Sequence, residues 1–151
     1  MKRTDRPRRM LTDWTASSGV AGEGLAALLV GLDQLGPEAY HLVTLGYEVF
    51  VLGVGEDQPH VHHVEVGPTE LPEAWHRRFA LVVSFDVAVV PHVAPCLADG
   101  GLLVTIGEAD TWPGVEGMGD RLTEVVVEQG PDPEDPMTHR FRAVVARLAD
   151  A

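Results

Sequence analysis

The sequence contains one cysteine, Cys96, and no long run of apolar residues. A single cysteine excludes an internal disulfide and a zinc cluster built on cysteines. No stretch approaches the roughly 20 apolar residues of a membrane span, and the mixed, polar residues 10–19 are unlike the apolar core of a secretory signal. We therefore expect a cytoplasmic protein without membrane contact, in which Cys96 is a small buried hydrophobe.

The chain has few basic residues outside its amino-terminal end. Its 11 Lys and Arg residues stand against 23 Asp and Glu residues, for a formal net charge of -12, and five of the 11 lie within the first nine positions. The acidic remainder repels phosphate backbones, which argues against nucleic acid as a partner. We expect residues 1–10 to be a basic disordered tail and residues 11–151 to form a single domain.

Several common functional motifs are absent. The sequence has no Gly-x-Ser-x-Gly elbow, no phosphate-binding P-loop and no Cys-His nucleophile pattern, which excludes the commonest hydrolases and phosphoryl-transfer enzymes. His60, His62 and His63 suggest a metal site, but on a strand His60 and His62 share one face while His63 points to the other. Two ligands without a third do not make a zinc site, so no metal is predicted.

The first half of the chain predicts alternating strands and helices. Leucines at helical spacing indicate one helix. A proline at the beginning of a segment and a glycine at its end indicate a second helix, and runs of β-branched and aromatic residues indicate strands. The predicted elements are a weak strand at 10–15, a glycine loop at 16–24, helices at 23–36 and 37–46, and strands at 47–55 and 61–66.

The second half predicts a sheet that ends in a hairpin. Residues 80–87 and 102–107 are nearly continuous apolar runs, typical of parallel strands that are covered on both faces. Strands at 122–130 and 139–148 flank residues 131–138, which are too rich in proline to hold a crossover helix and so favour an antiparallel pair. The order predicts an α/β three-layer sandwich, a mostly parallel Rossmann-like sheet ending in an antiparallel β-hairpin, with ligands beyond the carboxyl ends of its strands.

The stretch from about residue 65 to residue 148 resembles the class I S-adenosylmethionine-dependent methyltransferases. The sequence FALVVSFD at 79–86 resembles the family's fourth strand, DGGLLVT at 99–105 the entry to its fifth, and RFRAVVARL at 140–148 its seventh. The tripeptide ELP at 70–72 stands where the family often has a similar one. The resemblance implies a small, divergent member that binds S-adenosyl-L-methionine and methylates a small molecule.

The resemblance also implies which residues hold the cofactor. A glycine-rich turn after the first strand lets the backbone approach the amino acid end of the cofactor, and a carboxylate after the second strand accepts hydrogen bonds from the ribose. The implied residues are Ser18, Gly19, Gly22 and Gly24 in the glycine turn, Glu56 or Asp57 for the ribose, Thr69 for the adenine, and Phe85.

Two residues near the end of the fourth strand are implied to face the substrate. Asp86 ends that strand, and His92 is a candidate general base because imidazole exchanges protons near neutral pH. His92 as a histidine bonded to the backbone at a helix start is the alternative. The crossover from Ala88 to Asp99 is short, so the site is expected to be open, and a protein partner or a homodimer would supply the lid that keeps water out.

Two other functions remain open. The first is a non-catalytic methyltransferase-like subunit that has lost the cofactor, because the glycine spacing is G-x-x-G-x-G and Gly55 stands where the family has its carboxylate. The second is a nicotinamide-binding oxidoreductase domain, because DGGLLVTIGE at 99–108 also resembles the last strand of zinc-type alcohol dehydrogenase cofactor domains.

Overall fold

The computed structural model of the chain describes residues 7–31, 35–119 and 121–148. Its helices and strands are α1 Arg9–Ser18, β1 Ala26–Val30, α2 Gly36–Thr44, β2 Glu48–Leu52, β3 Val61–Val64, β4 Phe79–Ser84, α3 Val90–Val93, β5 Leu97–Glu108, β6 Leu122–Asp132 and β7 Asp135–Arg147. Short 3-10 turns lie at Glu73–Trp75, Val87–Val89 and Ala94–Cys96. None of the helices in the described residues is long and apolar enough to cross a membrane.

The seven strands form one sheet in the order β3-β2-β1-β4-β5-β7-β6. The pairs from β3 to β5 are parallel, and β7 runs antiparallel to both β5 and β6. This arrangement confirms the predicted mostly parallel sheet with a terminal hairpin. The carboxyl ends of β1, β2, β4 and β5 consequently lie at one edge of the sheet, together with the turn between β6 and β7. We call this edge the carboxyl edge.

The sheet is packed on both faces, which makes it the middle layer of three. On one face, α1 and α2 cover alternate strand residues, and Leu11, Trp14 and Leu42 from the helices are buried there. On the other face, the 3-10 turns, α3 and the loop before β6 cover the remaining strand residues, with Trp75 and Val93 buried. The short α3 and its flanking turns agree with the short crossover expected from the sequence.

The predicted strand at residues 10–15 is wrong, because these residues lie in α1. Leu11, Trp14 and Thr15 recur at helical spacing and are the buried side of the helix,. The backbone N–H of Gly19, in the left-handed conformation, donates to Thr15 O and ends the helix,. The helix also includes Arg9 and Met10, which were predicted to belong to a tail, while residues 1–6 of that tail lie outside the described residues.

The predicted helix at residues 23–36 is also wrong, because β1 lies within it. Strand β1 is flanked by β2 and β4 and is covered on both faces, so Ala27 to Val30 are all buried. The strand therefore shows no alternation of apolar and polar residues. A short apolar run of this kind has the spacing of a helix and of a central strand alike. Residues 32–34 of the predicted helix lie outside the described residues.

The later elements follow the predictions. The helix expected at 37–46 is α2, and the strands expected at 47–55 and 61–66 are β2 and β3. The two apolar runs are β4 and β5, and the final pair is the hairpin of β6 and β7. Strand β5 is longer than predicted and begins at Leu97, because Leu97 pairs with Phe79 before a register shift ahead of Leu81.

Candidate functional site

The carboxyl edge contains a close approach between the ends of β1 and β4. The backbone N–H of Phe85 donates to Val30 O at 3.1 Å. Gly31 follows with a φ of +108°, and a Cβ atom placed there would lie 2.7 Å from Asp86 N and 2.9 Å from Phe85 N. Only glycine fits this position without a backbone shift, because it has no Cβ and tolerates positive φ.

A cavity of about 260 Å³ opens at the carboxyl edge on the face covered by α1. Its walls come from the residues before and within α1, from the ends of β4 and β5, and from the hairpin of β6 and β7. The lining residues are Arg8, Met10, Phe85, Ile106, Asp132, Glu134 and Arg140. Three of these side chains are apolar and four are charged, so the cavity suits a small molecule with an apolar body and a polar group.

Arg8, in the wall of this cavity, contacts two other side chains. Glu38 Oε2 accepts hydrogen bonds from Arg8 N at 2.7 Å and from Arg8 Nη1 at 2.9 Å. The Arg8 guanidinium carbon lies 5.1 Å from the centroid of the Phe85 ring, within the range of a cation–π contact,. Glu38 is in the first turn of α2 and is fully buried, where its negative charge also suits the helix dipole,.

Sequence reasoning missed both Arg8 and Glu38. Arg8 was included in the predicted tail, and an acid after Pro37 looks like an ordinary exposed residue of a first helical turn. The available signal was spacing, because Glu38 lies three residues after Leu35 and four before Leu42. Both leucines are buried, so Glu38 lies on the buried face of the helix.

The hairpin turn fixes the opposite wall of the cavity. Arg140 Nε donates to Asp132 Oδ2 at 2.8 Å, and Glu134 N donates to Asp132 Oδ1 at 2.9 Å. Arg142 Nη1 donates to Met10 O at 2.8 Å, which joins the hairpin to α1. The cavity is therefore enclosed by elements far apart in the sequence, and no local motif reveals it.

The predicted glycine turn lies at the edge of the sheet opposite to the carboxyl edge. Gly22 N donates to Leu45 O at 2.7 Å, and Gly24 N donates to Gly46 O at 2.8 Å, so the turn packs against the turn that precedes β2. Both turns precede the strands they lead into, at the amino ends of β1 and β2. Gly19 ends α1, and Ser18 Oγ donates to Thr15 O at 3.5 Å within the same helix. These four residues do not follow β1 because the strand and helix assignments that placed them there were wrong.

Strand β2 ends earlier than predicted, at Leu52, so the glycine at its end is Gly53 and not Gly55. Gly53 follows the strand with a φ of +146°, and Glu56 and Asp57 come later in the connection to β3. Asp57 Oδ1 accepts a hydrogen bond from His63 N at 2.7 Å, and this bond holds the pKa of the Asp57 carboxyl below its usual range. Glu56 is exposed and lines a second cavity of about 400 Å³, which Gly36 at the start of α2 also lines.

The remaining predicted site residues are spread over the carboxyl edge and beyond it. Phe85 lines the cavity at the carboxyl edge, and Thr69 is exposed in the turn after β3. Asp86 Oδ1 accepts from Ala88 N at 3.0 Å and so caps a 3-10 turn. His92 is exposed on α3 and lines a third cavity that shares no residue with the one containing Phe85.

The histidines of the sequence HVHH contact carboxylates. His60 Nδ1 and His62 Nε2 lie 2.7 Å and 2.5 Å from the two oxygens of Glu48, and His63 lies beside Asp57. The hydrogen bonds from His62 and then from His60 lower the pKa of the Glu48 carboxyl. Among residues 7–31, 35–119 and 121–148, no three histidine, cysteine or acidic side chains form a group that could hold a metal ion.

Cys96 is buried, as predicted, at 4% exposure. Its burial raises the pKa of the thiol to about 11. Because the thiolate is the nucleophilic form of cysteine, a buried thiol with this pKa is unreactive at neutral pH. The structure thus agrees with a packing role for this residue.

The chain has the fold of the class I S-adenosylmethionine-dependent methyltransferases. It is similar to the 1,6-didemethyltoxoflavin-N1-methyltransferase of Burkholderia thailandensis, solved with 1,6-didemethyltoxoflavin and S-adenosylhomocysteine, at a TM-score of 0.64 and 14% identity over 91% of this chain and 76% of that one. It is also similar to the geranyl diphosphate C-methyltransferase of Streptomyces coelicolor A3(2), at a TM-score of 0.68 and 11% identity over 92% and 77%.

A third similar structure is described as a cyclase. This protein, SpnF, matches at a TM-score of 0.67 and 12% identity over 93% of this chain and 81% of that chain. No protein-family model and no curated protein matches the sequence. At these identities the similarity defines the fold, and the activity has to be argued from the site.

Proposed function

We propose that the chain binds S-adenosyl-L-methionine at the carboxyl edge and transfers a methyl group to a small molecule. The observation that carries the proposal is the cavity at the ends of β4 and β5, beside the glycine that ends β1. In open α/β sheets, ligands bind outside the carboxyl ends of the strands. The similar Burkholderia enzyme was solved with both a small-molecule substrate and S-adenosylhomocysteine.

The residues at the carboxyl edge fit the cofactor in part. Gly53 leaves space for a ligand beside the end of β2, because no described atom lies within 4 Å of its Cβ position, and Gly31 lets the ends of β1 and β4 approach each other closely,. Glu56 is the acid in the better position to accept hydrogen bonds from the ribose, because Asp57 is bonded to the His63 backbone. Glu56 also lines the same cavity as Gly36 at the start of α2. Bound S-adenosylmethionine would supply the electrophilic methyl group.

The cavity residues would bind and orient the methyl acceptor. Met10, Phe85 and Ile106 provide apolar walls that exclude water. The Asp132–Arg140 ion pair provides one negatively charged and one positively charged group. Alignment of donor and acceptor in a dry site is the main requirement of the transfer. The proposal gives His92 no catalytic role, because α3, which contains it, covers the face of the sheet opposite to the cavity. A lid contributed by a partner or a second copy remains part of the proposal.

A second candidate function is a non-catalytic subunit with the same fold. The observation that favours it is Gly53, which stands where the fold usually has a ribose-binding carboxylate. The similar structure SpnF is a [4+2]-cyclase, so this fold also occurs in a protein that is named for a reaction other than methyl transfer. On this alternative the small molecule still binds the cavity, but no cofactor does.

Calorimetric titration with S-adenosylmethionine and S-adenosylhomocysteine tests the proposed cofactor. We expect micromolar binding of at least one of them by the unmodified chain. Glu56→Gln should weaken that binding by about tenfold or more, because it removes the charge from a hydrogen-bonded carboxylate. Asp57→Asn is the matched control, and we expect it to leave the affinity unchanged. Absence of heat with millimolar ligand contradicts cofactor binding and supports the non-catalytic alternative.

A further inference from the structure

The carboxylate of Glu38 is fully buried but only half satisfied. Oε2 accepts two hydrogen bonds, from the backbone and the guanidinium of Arg8. Oε1 is also buried, and among the residues that the structure describes it has no hydrogen-bond partner. Buried charges in proteins are normally paired and fully hydrogen-bonded, since each unsatisfied atom is costly. A carboxylate left in this state has unused capacity to bind a cation with several donors.

Arg8 is held on one side by this carboxylate and on another by an aromatic ring. Its guanidinium bonds Glu38 through Nη1 and lies over the Phe85 ring. A carboxylate beside an aromatic face is a common recognition site for guanidinium and alkylammonium groups. The Arg8 side chain, at 23% exposure, also forms part of the wall of the cavity at the carboxyl edge. Phe85 lines the same cavity, whereas the buried Glu38 does not line it and becomes accessible from it only when the Arg8 side chain moves away.

We propose that Glu38 and Phe85 form a binding site for a guanidinium or alkylammonium group, which Arg8 fills in this structure and which a cationic small molecule takes by displacing the Arg8 side chain. The inference rests on the proposed function only in placing a small molecule in the same cavity. It does not require S-adenosylmethionine. The net charge of -12 favours a cationic ligand over an anionic one,.

The bonding of Arg8 is suited to such an exchange. Its backbone N–H donates to Glu38 Oε2 at 2.7 Å, so the carboxylate keeps one partner when the side chain swings away. An incoming planar cation can bond Oε1 as well as Oε2, which Arg8 does not do here. The apolar walls from Met10 and Ile106 can then receive the body of the ligand.

Truncation of Arg8 gives a direct test. Arg8→Ala removes the side chain beyond Cβ, and N-ethylguanidinium has the structure of the lost atoms. We expect this probe, followed by calorimetry and thermal denaturation, to bind the variant at least about tenfold more tightly than the unmodified chain, in which Arg8 occupies the site. The midpoint of thermal unfolding should rise with the probe in the variant and rise less in the unmodified chain, where the probe has to displace the Arg8 side chain.

Two controls isolate the proposed site. The double variant Arg8→Ala/Glu38→Gln lacks the carboxylate charge and should lose the response to the probe, and sodium chloride at equal ionic strength should produce none. Equal or absent binding by the single variant and the unmodified chain overturns the proposal. If Arg8→Ala does not fold, Arg8→Met keeps an apolar stem and is titrated with guanidinium chloride under the same criteria. Because the probe contains no adenosine, its result is independent of the cofactor titration.

Discussion

Gly22→Ala is expected to lower the free energy of unfolding by about 1–3 kcal/mol, the usual cost of forcing an extra methyl group into a packed site. A Cβ atom at this position would lie 2.5 Å from the carbonyl carbon of Gly46 and 2.7 Å from its oxygen. These are backbone atoms, held by the hydrogen bonds between the two turns, so they cannot move aside as a flexible side chain would. Urea denaturation of the variant and of the unmodified chain measures the difference.

Gly36→Ala is the matched control for this substitution. A Cβ atom at Gly36 meets no atom of the described residues within 4 Å, and the residue begins α2. Alanine is a better helix former than glycine, so the stability of this variant should be unchanged or slightly higher. If Gly22→Ala is as stable as Gly36→Ala, the two turns at the amino ends of β1 and β2 do not pack as described.

Gly31→Ala is expected to reduce both stability and ligand binding. Its Cβ would meet the backbone nitrogens of Phe85 and Asp86, and its φ of +108° disfavours any side chain. Each effect costs about 1–3 kcal/mol in comparable cases. Because Phe85 also lines the cavity, the strand ends must shift at the proposed ligand site. Urea denaturation and calorimetry with S-adenosylhomocysteine measure the two losses.

The pair of variants separates a structural role from a binding role. Gly22→Ala should bind S-adenosylhomocysteine with unchanged affinity under conditions in which it is folded, because the turn lies at the opposite edge. Gly31→Ala should bind it more weakly under the same conditions. The reverse result, with binding lost only in Gly22→Ala, would restore the cofactor role that the sequence alone gave to the glycine turn.

The part of the fold that the sequence predicted best is the part with distinctive local signals. Strands β4 and β5 contain runs of β-branched and aliphatic residues, and the proline-rich residues 131–138 favour a hairpin. In the structure the two strands extend into this segment, and only Pro133 and Glu134 lie between β6 and β7. These features, with the resemblance they carry, were sufficient to predict the sheet and its terminal antiparallel pair. These elements could be predicted because each is determined by residues that are close together in the sequence.

The errors concern the first 36 residues and have one physical origin. A central strand that is buried on both faces, such as β1, shows no alternation, so its leucines have the same spacing as those of a helix,. Residues 10–15 were predicted as a strand and β1 as part of a helix, so the glycines between them were expected to follow a strand, whereas they precede β1. The cofactor assignment of Gly19, Gly22 and Gly24 followed from that single exchange.

The cavity itself was beyond local sequence reasoning. Its walls join Arg8 to Phe85 and to Arg140, which are far apart in the chain and meet only when the sheet forms. The Arg8–Glu38 pair spans 30 positions, and no pattern in the sequence links a residue of the basic end to a buried acid on α2. Contacts of this kind are set by the tertiary fold.

The most direct test of the account is the location of the ligand on the folded chain. The amide resonances of isotope-labelled protein are followed by nuclear magnetic resonance during titration with S-adenosylhomocysteine. The account predicts that the amides of Gly31, Gly53 and Phe85, at the carboxyl edge, shift with ligand, while those of Gly22 and Gly24 do not. Shifts confined to Gly22 and Gly24, or no shift at any of these amides, would contradict a cofactor site at the carboxyl edge.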